Sequence, residues 1–326
     1  MRAVIPAAGI GKRLRPHTLN IPKVMINLAG KRLIGHILDA VESTGVTSVS
    51  MIIGYKGDLV QKYVNRFYSH LRLDFPYQAE RKGLGHAVLQ GLEDKDEDVL
   101  ILLGDTVFDV DFTSFVETNE NAIAVVKVED PRRFGVAEVD SASRITKLVE
   151  KPDEPKSDLA LAGMYYVKDQ RILKAAIEKL IADDIKTRDE YQLTDAFQLM
   201  IESGTEIKAV EINGWYDCGT KESLLDSHRF LLDDTLSADH VKGSIVHPPV
   251  FIHPEANVTN SVIGPNVTID KRAEVSGAIL TETIVGKDSV IKNLILSHSL
   301  IGNYATVDGN VRAINVGDYS ELKLND

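Results

Sequence analysis

The chain has 326 residues, of which 44% are hydrophobic and 26% are charged, as is usual for a globular protein of about two domains. The formal net charge of -11 argues against nucleic acid or an anionic membrane as the main partner. The single cysteine, Cys218, excludes a disulfide framework and a cysteine-based zinc site, and it fits a reducing, cytoplasmic setting.

The first 230 residues alternate strand-like and helix-like patterns. Apolar runs with turn residues between them predict strands and helices that follow one another along the chain. This alternation indicates an α/β domain with a mainly parallel sheet, and ligands then bind beyond the carboxyl ends of the strands. The predicted strands are 3–6, 49–53 and 98–103, and the predicted helices are 33–44, 58–68, 84–92 and 223–232.

Neither a membrane-spanning segment nor a signal peptide is expected. The longest apolar runs, such as 99–103, are strand-sized, whereas a spanning helix needs about 20 apolar residues. The segment before the first turn signal, residues 1–6, is too short for a signal peptide.

The composition changes near residue 235, which predicts a first domain at 1–235 and a linker with a second domain at 236–326. Aliphatic residues there recur six positions apart, as in a parallel β-helix with triangular coils, with a set of antiparallel strands as the alternative. The repeats start 22, 16 and 15 residues apart, which suggests irregular coils. The recurring pieces begin at Ile263, Val285, Ile301 and Val316, with a fifth at Ile252.

The amino-terminal segment is cationic although the protein is acidic. Residues 1–38 contain no Asp or Glu and carry +7, so the remainder carries -18. This asymmetry suggests a local site for a small anion, and a solvated basic face is the alternative.

A glycine loop follows the first predicted strand. A Rossmann fingerprint would need a third glycine where Leu14 stands, and a P-loop would need Ser or Thr after Gly11-Lys12, where Arg13 stands. What remains is a loop of small residues whose backbone N–H groups can approach phosphates. Arg13 and Lys23 would supply the positive charge that a triphosphate requires.

The whole stretch resembles the sugar-1-phosphate nucleotidylyltransferases, especially the glucose-1-phosphate thymidylyl- and uridylyltransferases. Their signature is a strand followed by G-x-G-x-R-L-x-P-x-T, then P-K, then G-K-P. Arg32 stands where the final proline is usual. The matching residues are Gly9, Gly11, Arg13, Leu14, Pro16, Thr18, Pro22, Lys23, Gly30 and Lys31.

Later segments match the same family in order, and the resemblance covers residues 1 to about 232. It implies a Rossmann-like nucleotidyltransferase domain, and the repeats that follow are similar to the short left-handed parallel β-helix of some members. It also implies that a nucleoside triphosphate, dTTP or UTP, reacts with a sugar 1-phosphate, with glucose 1-phosphate as the expected one, to give a sugar nucleotide and pyrophosphate with Mg²⁺. The implied roles are nucleotide binding by Ala7, Ala8, Gly9, Gly11, Gln78 and Gly83; sugar-phosphate binding by Gly135, Glu150 and Lys151; metal binding by Asp105 and Asp217; and catalysis by Arg13 and Lys23.

Several of these residues also have purely structural interpretations. Asp105 could cap a turn, and Glu150 with Lys151 could be a surface pair. Cys218 is interpreted as a small buried neighbour, and the segment 190–195 as structural or oligomeric. The resemblance further implies a homo-oligomer, either a dimer or a tetramer.

The substrates stay open at this point. Ala8, Lys12 and Val24 depart from the thymidylyltransferase pattern. Uracil and thymine differ by one methyl group, which is worth only about 1–3 kcal/mol in a pocket. The alternatives are a mannose-1-phosphate guanylyltransferase, a bifunctional N-acetylglucosamine-1-phosphate uridylyltransferase and acetyltransferase, and a non-catalytic regulatory relative. The last would be expected to lose Arg13, Lys23 or a metal-binding Asp, and all are present.

Overall fold

The computed structural model describes residues 1–232, 241 and 243–309. Contacts between residues divide the chain into two units, Met1–Ser227 and His228–Asp326, and each has a hydrophobic core of its own. Most of the predicted linker, and the whole predicted repeat from Val316 to Leu322, lie outside the described residues. Within the described residues, no helix is both long and apolar enough to cross a membrane.

The first unit contains thirteen strands and most of the seven α-helices. Its strands are β1 (Arg2–Pro6), β2 (Asn27–Leu28), β3 (Lys31–Arg32), β4 (Ser48–Ile52), β5 (Arg72–Asp74), β6 (Val99–Leu102), β7 (Thr106–Asp109), β8 (Ala122–Lys127), β9 (Gly135–Val139), β10 (Ile145–Glu150), β11 (Leu159–Val167), β12 (Lys208–Glu211) and β13 (Gly214–Asp217). The helices are α1 (Leu33–Ser43), α2 (Gly57–Phe67), α3 (Leu84–Leu89), α4 (Phe112–Glu117), α5 (Gln170–Ala182), α6 (Leu193–Glu202) and α7 (Lys221–Leu231).

The central sheet confirms the α/β prediction. Strands β6, β1, β4 and β5 are neighbours and run parallel, and the sequence predicts the first three of them. Ala3, Val4 and Ile5 are fully buried, because helices cover both faces of such a sheet and leave no room for the alternation of an exposed strand. The second half is mostly antiparallel, since β11 pairs in that sense with β6, β8 and β9, whereas β12 runs parallel to β8.

Helix α1 illustrates how the helices arise from the sequence. Its apolar residues recur at helical spacing and all of them are buried, so the helix covers the core with one stripe. It ends just before Gly45, whose positive φ of 74° is the left-handed conformation that commonly terminates helices. The buried apolar positions are Leu33, Ile34, Ile37, Leu38 and Val41.

A two-stranded sheet formed by β7 and β13 lies apart from the main sheet. Strand β7 follows β6 after a three-residue turn that contains Asp105, and it pairs antiparallel with β13. Residues 105 and 217, which are far apart in sequence, therefore meet at one end of this small sheet.

The second unit is a parallel β-helix with three walls. The first wall holds β14 (Ile245–Val246), β17 (Val262–Ile263) and the first halves of β20 (Ile279–Val285) and β22 (Ile295–Ile301). The second wall holds β15 (Val250–Ile252), β18 (Val267–Ile269) and the second halves of β20 and β22. The third wall holds β16 (Asn257–Thr259), β19 (Glu274–Ser276), β21 (Val290–Lys292) and β23 (Thr306–Asp308).

The aliphatic residues six positions apart face the interior of the β-helix, as predicted: Ile263, Ile269, Val285 and Ile291 are fully buried there. The expectation of irregular coils is wrong. Ile263 pairs with Leu280 rather than with Val285, because the pieces that begin at Ile263 and Val285 lie on different walls. Partners in neighbouring coils are 16 or 17 residues apart throughout the hydrogen-bonded stack.

Candidate active site

The two carboxylates predicted to bind metal are brought together by the sheet of β7 and β13. Asp217 is the last residue of β13 and pairs with Thr106, the residue after Asp105. The backbone N–H of Cys218 donates to the carbonyl oxygen of Asp105 at 3.0 Å. These backbone bonds fix the start of both loops, so the two side chains leave from neighbouring points.

Lys23 bridges the two carboxylates. Its Nζ donates to Asp105 Oδ2 at 2.8 Å and to Asp217 Oδ1 at 3.3 Å, and the residue is only 5% exposed. Burial acts to lower the pKa of Lys23, but the negative charges of Asp105 and Asp217 outweigh it and raise that pKa above its ordinary value. The ammonium is therefore retained, and it holds the carboxylates within reach of one point.

The two carboxylates fit a magnesium ion by their chemistry. Mg²⁺ prefers hard oxygen donors and is often held by one or two carboxylates together with substrate phosphate oxygens. Both side chains are partly exposed, at 43% and 44%, so phosphate oxygens could approach them. In the described part of the chain there is no cluster of three or more His, Cys, Asp or Glu residues that could bind metal alone.

The glycine loop is packed against the base of Lys23. Gly11 has a positive φ of 67°, and a Cβ atom at this position would lie 3.0 Å from Lys23 Cβ. The Thr18 hydroxyl donates to the carbonyl oxygen of Gly11 at 2.7 Å and holds the loop closed. By contrast, Gly9 is exposed, and a Cβ atom there would meet open space.

Ala7 and Ala8 continue β1 toward this loop and are buried. The N–H of Ala7 donates to Ile52 at 2.8 Å, and a Cβ atom on Gly54 would lie 2.9 Å from that of Ala8. The alanine at position 8 is thus accommodated by a glycine opposite it.

Arg13 lies beside the end of strand β13, which carries Asp217. A Cβ atom on Gly219 would lie 2.5 Å from Asp217 Oδ2 and 2.7 Å from Arg13 Nη2, so the glycine leaves room for both side chains. This places a guanidinium, a carboxylate and the ammonium of Lys23 in one cluster. Positive and negative groups side by side suit a ligand that carries both phosphates and a metal ion.

The predicted base-reading residues lie on a separate segment. Gln78 is 7% exposed, and its backbone N–H donates to Ile53 at 2.9 Å. Gly83 has a φ of 114°, and a Cβ atom there would lie 2.5 Å from the carbonyl oxygen of Tyr191. Only glycine combines this conformation with this close approach.

The predicted sugar-phosphate residues meet at the end of β10. Glu150 Oε1 lies 3.0 Å from Lys151 Nζ, and its Oε2 accepts from the Thr194 hydroxyl at 2.7 Å. A Cβ atom on Gly135 would lie 3.1 Å from Glu150 Oε2, so that strand passes directly over the carboxylate. Gly135, Glu150 and Lys151 therefore lie together in one group.

An aromatic pair joins this group to strand β13, which carries Asp217. The rings of Phe134 and Trp215 meet edge to face, with centroids 5.3 Å apart. Phe134 precedes Gly135, and Trp215 lies two residues before Asp217. The backbone N–H of Lys151 also donates to the Phe134 carbonyl at 3.0 Å. The packing fixes the sugar-phosphate residues relative to the carboxylates.

The comparisons with known proteins agree with this geometry. Residues 2–234 match the family of nucleotidyl transferases, and residues 231–291 match the GlmU-like C-terminal hexapeptide family. The chain belongs to the nucleotidyl transferase family. The predicted resemblance is confirmed, and so is the predicted fold of a nucleotidyltransferase domain followed by a short hexapeptide β-helix.

Relatives of this family member carry several names. The bifunctional protein GlmU of Methanocaldococcus jannaschii is 37% identical over 75% of this chain, but the match spans only 57% of GlmU. The UTP–glucose-1-phosphate uridylyltransferase AglF of Haloferax volcanii is 32% identical over 73% of this chain and 99% of its own length. A glucose-1-phosphate thymidylyltransferase of Streptomyces antibioticus is 29% identical over 99% of both chains.

A solved structure is also similar to this chain. It is a Bacillus anthracis protein described as a glucose-1-phosphate thymidylyltransferase, in complex with sucrose. It is 25% identical to this chain with a TM-score of 0.61, and the match covers 71% of this chain and 94% of the other.

The segment 190–195, for which the sequence predicts a structural or oligomeric role, contacts both predicted substrate-binding groups. Tyr191 exchanges backbone hydrogen bonds with Lys82 at 2.8 Å and with Gly85 at 2.9 Å. Thr194 bonds Glu150, and Arg188 Nη2, just before the segment, donates to the Lys151 carbonyl at 3.1 Å.

Burial shifts the pKa of two further side chains near the site, those of Cys218 and Asp195. Burial raises the pKa of the Cys218 thiol to about 12, so it is an inert neighbour, in line with the prediction. Burial also raises the pKa of Asp195, and the nearby Glu150 adds to this effect, although a hydrogen bond with Thr187 opposes it. Among the residues that the structure describes, the buried Oδ2 atom of Asp195 has no hydrogen-bond partner.

Proposed function

We propose that this chain joins a nucleoside triphosphate, dTTP or UTP, to a sugar 1-phosphate, with glucose 1-phosphate as the first candidate. The observation that carries the proposal is the bridge from Lys23 to both Asp105 and Asp217 beneath the glycine loop. This bridge brings the proposed phosphate-binding ammonium of Lys23 and the two proposed metal-binding carboxylates to one point. The names of AglF and of the thymidylyltransferases support the same substrates.

In the proposed reaction, an oxygen of the sugar phosphate attacks the α-phosphorus in line. The new P–O bond forms as the bond to the β-phosphate oxygen breaks, and pyrophosphate leaves with that electron pair. Such a transfer requires no covalent enzyme intermediate, so positioning and charge stabilisation supply the catalysis.

The chain's own groups divide this work. Backbone N–H groups of the loop that contains Gly9 and Gly11 would hold the triphosphate, and Arg13 would stabilise the leaving phosphates. The Lys23 ammonium would turn from the carboxylates toward the α-phosphate, where negative charge grows. Gln78 and Gly83 would read the base, while Lys151 would bind the sugar phosphate, and Glu150 with Gly135 would fix its hydroxyls.

Asp105 and Asp217 would hold Mg²⁺, which neutralises phosphate charge when it is bound. Their carboxylate oxygens are the hard donors that this ion prefers. We place the reaction in the cytoplasm, since a single free cysteine, Cys218, fits a reducing compartment. We also propose that the protein works as a homo-oligomer.

The test is a matrix of the common nucleoside triphosphates against glucose, mannose, galactose and N-acetylglucosamine 1-phosphates, with Mg²⁺ present. We expect pyrophosphate release with dTTP or UTP and glucose 1-phosphate. Absence of turnover across the whole matrix, from protein with a cooperative thermal transition, would contradict the proposal. Activity confined to GTP and mannose 1-phosphate would support the guanylyltransferase alternative.

A second candidate is the bifunctional activity, because GlmU is the name of a relative that shares 37% identity and residues 231–291 match its hexapeptide family. It predicts release of free coenzyme A from acetyl-coenzyme A with an amino sugar phosphate as acceptor. The two candidates are separable, because Asp105→Asn would abolish pyrophosphate release and leave acetyl transfer intact.

A further inference from the structure

We propose that Arg32 is a positioning residue, which fixes the turn from which Lys23 reaches the two carboxylates of the site. The proposal rests on the proposed function in one respect, since Lys23 is taken to act on the α-phosphate during transfer. The contact that carries it is a hydrogen bond from Arg32 Nη1 to the carbonyl oxygen of Met25 at 3.0 Å. Arg32 would act through Lys23 and would not touch substrate itself.

Lys23 begins a single turn of 3₁₀ helix, Lys23–Met25. The backbone N–H of Met25 donates to the Pro22 carbonyl at 2.9 Å, and that of Ile26 donates to the Lys23 carbonyl at 3.1 Å. All three residues of the turn are buried. Because a single turn has little stability of its own, contacts from outside must hold it. These contacts thereby set the point from which the Lys23 side chain starts.

Two such contacts come from the residues at the start of α1. The backbone N–H of Leu33 donates to the Ile26 carbonyl at 2.9 Å, and the Arg32 guanidinium donates to the Met25 carbonyl. The last carbonyls of a helical turn have no donor within the turn, and a basic side chain can supply one. A charged donor also makes a stronger hydrogen bond than a neutral one. Arg32 therefore anchors the end of the turn.

A tight hairpin brings Arg32 to this place. Strands β2 and β3 pair antiparallel and set Asn27 opposite Arg32. The two residues between the strands, Ala29 and Gly30, both have positive φ, at 47° and 82°, as the favoured two-residue hairpin turns require. The chain thus reverses directly after the turn that begins with Lys23 and returns Arg32 beside it.

The backbone at position 32 does not itself require an arginine. The φ of -67° is the value that a proline ring imposes, and proline is usual here in the family signature. Arg32 is also the N-cap residue of α1, where a cation faces the positive end of the helix dipole. Its side chain makes no capping hydrogen bond within the described residues, and the first turn of α1 contains no Asp or Glu. The contact with Met25 is therefore what the guanidinium adds.

Arg32 is partly buried beside Tyr63 of α2. Burial raises the pKa of Tyr63, and the positive charge of Arg32 and a hydrogen bond with the Arg32 backbone oppose that rise. Because this hydrogen bond uses the backbone, it remains when the side chain is changed. Arg32→Met therefore removes the charged donor and retains both an unbranched side chain and the backbone contact.

The first test is steady-state kinetics of Arg32→Met. We expect kcat to fall at least tenfold, with KM for both substrates changed less than about threefold, because a small displacement of Lys23 weakens a contact made in the transition state. Arg32→Lys should recover part of the loss, since a single donor reaches one carbonyl. Arg66→Met, which removes an exposed arginine of α2, is the matched control and should keep the kcat of the unchanged chain.

A double-variant cycle separates positioning from general destabilisation. In a chain that already carries Lys23→Met, the addition of Arg32→Met should lower kcat by less than about twofold, because its effect passes through Lys23. The proposal is overturned if the two losses multiply. It is also overturned if Arg32→Met alone keeps kcat within about twofold of the unchanged chain.

Amide hydrogen exchange tests the contact without turnover. The N–H groups of Met25 and Ile26 should exchange at least tenfold faster in Arg32→Met, because the end of the turn is released. The N–H of Ala7, which donates to Ile52, should exchange as before in a folded variant. Unchanged exchange at Met25 and Ile26 would overturn the proposal. If the unchanged chain transfers no nucleotide at all, the proposed function fails, and exchange alone decides whether Arg32 holds the turn.

Discussion

At the scale of single residues, the site combines groups whose charges depend on one another. Lys23 keeps its proton because Asp105 and Asp217 face it, and these carboxylates in turn stay close because Lys23 bonds both. Removal of any one charge leaves the others partly uncompensated in a half-buried place. Because the two carboxylates are partly exposed, at 43% and 44%, substitution of either of them should nevertheless affect chemistry more than folding.

Asp105→Asn and Asp217→Asn should each lower kcat by a factor of about 100 or more, since each removes a charge from the proposed metal site without a change in volume. Steady-state kinetics at saturating Mg²⁺ measures the effect. Asp109→Asn, on the same strand β7, is the control and should retain activity. A normal kcat for either site variant would exclude that residue as a metal ligand.

Lys23→Met and Lys151→Met separate the two phosphate-binding roles. Lys23→Met should lower kcat and kcat/KM together, because its contact with the α-phosphate strengthens in the transition state. Lys151→Met should raise KM for the sugar phosphate about tenfold or more, with KM for the nucleotide little changed. The measurement is initial rate with each substrate varied in turn. A KM effect of Lys151→Met on the nucleotide alone would reverse the assignment.

At the scale of elements, turns and packing decide where those residues lie. Gly11→Ala should lower the free energy of unfolding by about 1–3 kcal/mol, since its φ is positive and the new methyl group would press on Lys23. Chemical denaturation measures this change. Gly214→Ala is the matched control, because a Cβ atom there meets nothing within 4 Å. Equal losses for both variants would contradict the steric explanation.

His228, in the last turn of α7, should make the free energy of unfolding depend on pH. Burial lowers the pKa of His228 to about 4, while an unfolded histidine titrates near its ordinary value of about 6.5. Between these values the unfolded state binds more protons, so stability falls as the pH is lowered through this window. The loss is on the order of 3 kcal/mol when it is complete.

The measurement is the free energy of unfolding against pH for the unchanged chain and for His228→Asn. The negative charge of Glu282 also acts on His228, and the difference between the two curves cancels the titration of such neighbours. We expect the unchanged chain to lose more stability than the variant between neutral pH and pH 4. Parallel curves would show that His228 is not buried in its neutral form.

Local features of the site were predictable from the sequence, and tertiary features were not. Asp105 follows an apolar strand and Lys23 follows Pro22 after a glycine loop, so both carry a local signature. Tyr191 contributes its backbone atoms, which every residue has, and no side-chain pattern could reveal that role. The antiparallel half of the sheet was missed for a related reason, because strand pairing is a property of distant segments.

The pairing of residues between neighbouring coils was also not predictable from the local sequence pattern. The local pattern of an aliphatic residue followed by glycine occurs on more than one wall, so it aligned Ile263 with Val285 in sequence. Stacking aligns each of these residues by its position within the coil instead, and Ile263 lies next to Leu280. The period of the β-helix is therefore visible in the hydrogen bonds and only partly visible in the motif.

At the scale of the whole molecule, two cores imply two partly separable transitions. We expect calorimetry to resolve them, with UTP or dTTP raising the melting temperature of only one, because all proposed substrate-binding residues lie in the first unit. Ile263→Ala, at a fully buried position in the second core, should lower the other transition at a cost of about 2–5 kcal/mol. A single transition that shifts as a whole would contradict this expectation.

The regular stacking of the second unit also constrains how its length can change during evolution. Each coil contributes 16 or 17 residues and contacts only the coils above and below it. Duplication of 16 or 17 residues would add one coil to the β-helix and leave every wall in register. An insertion of one or three residues within a strand would instead turn core side chains outward. Descendants of this gene should therefore differ by whole coils or by loops at the corners.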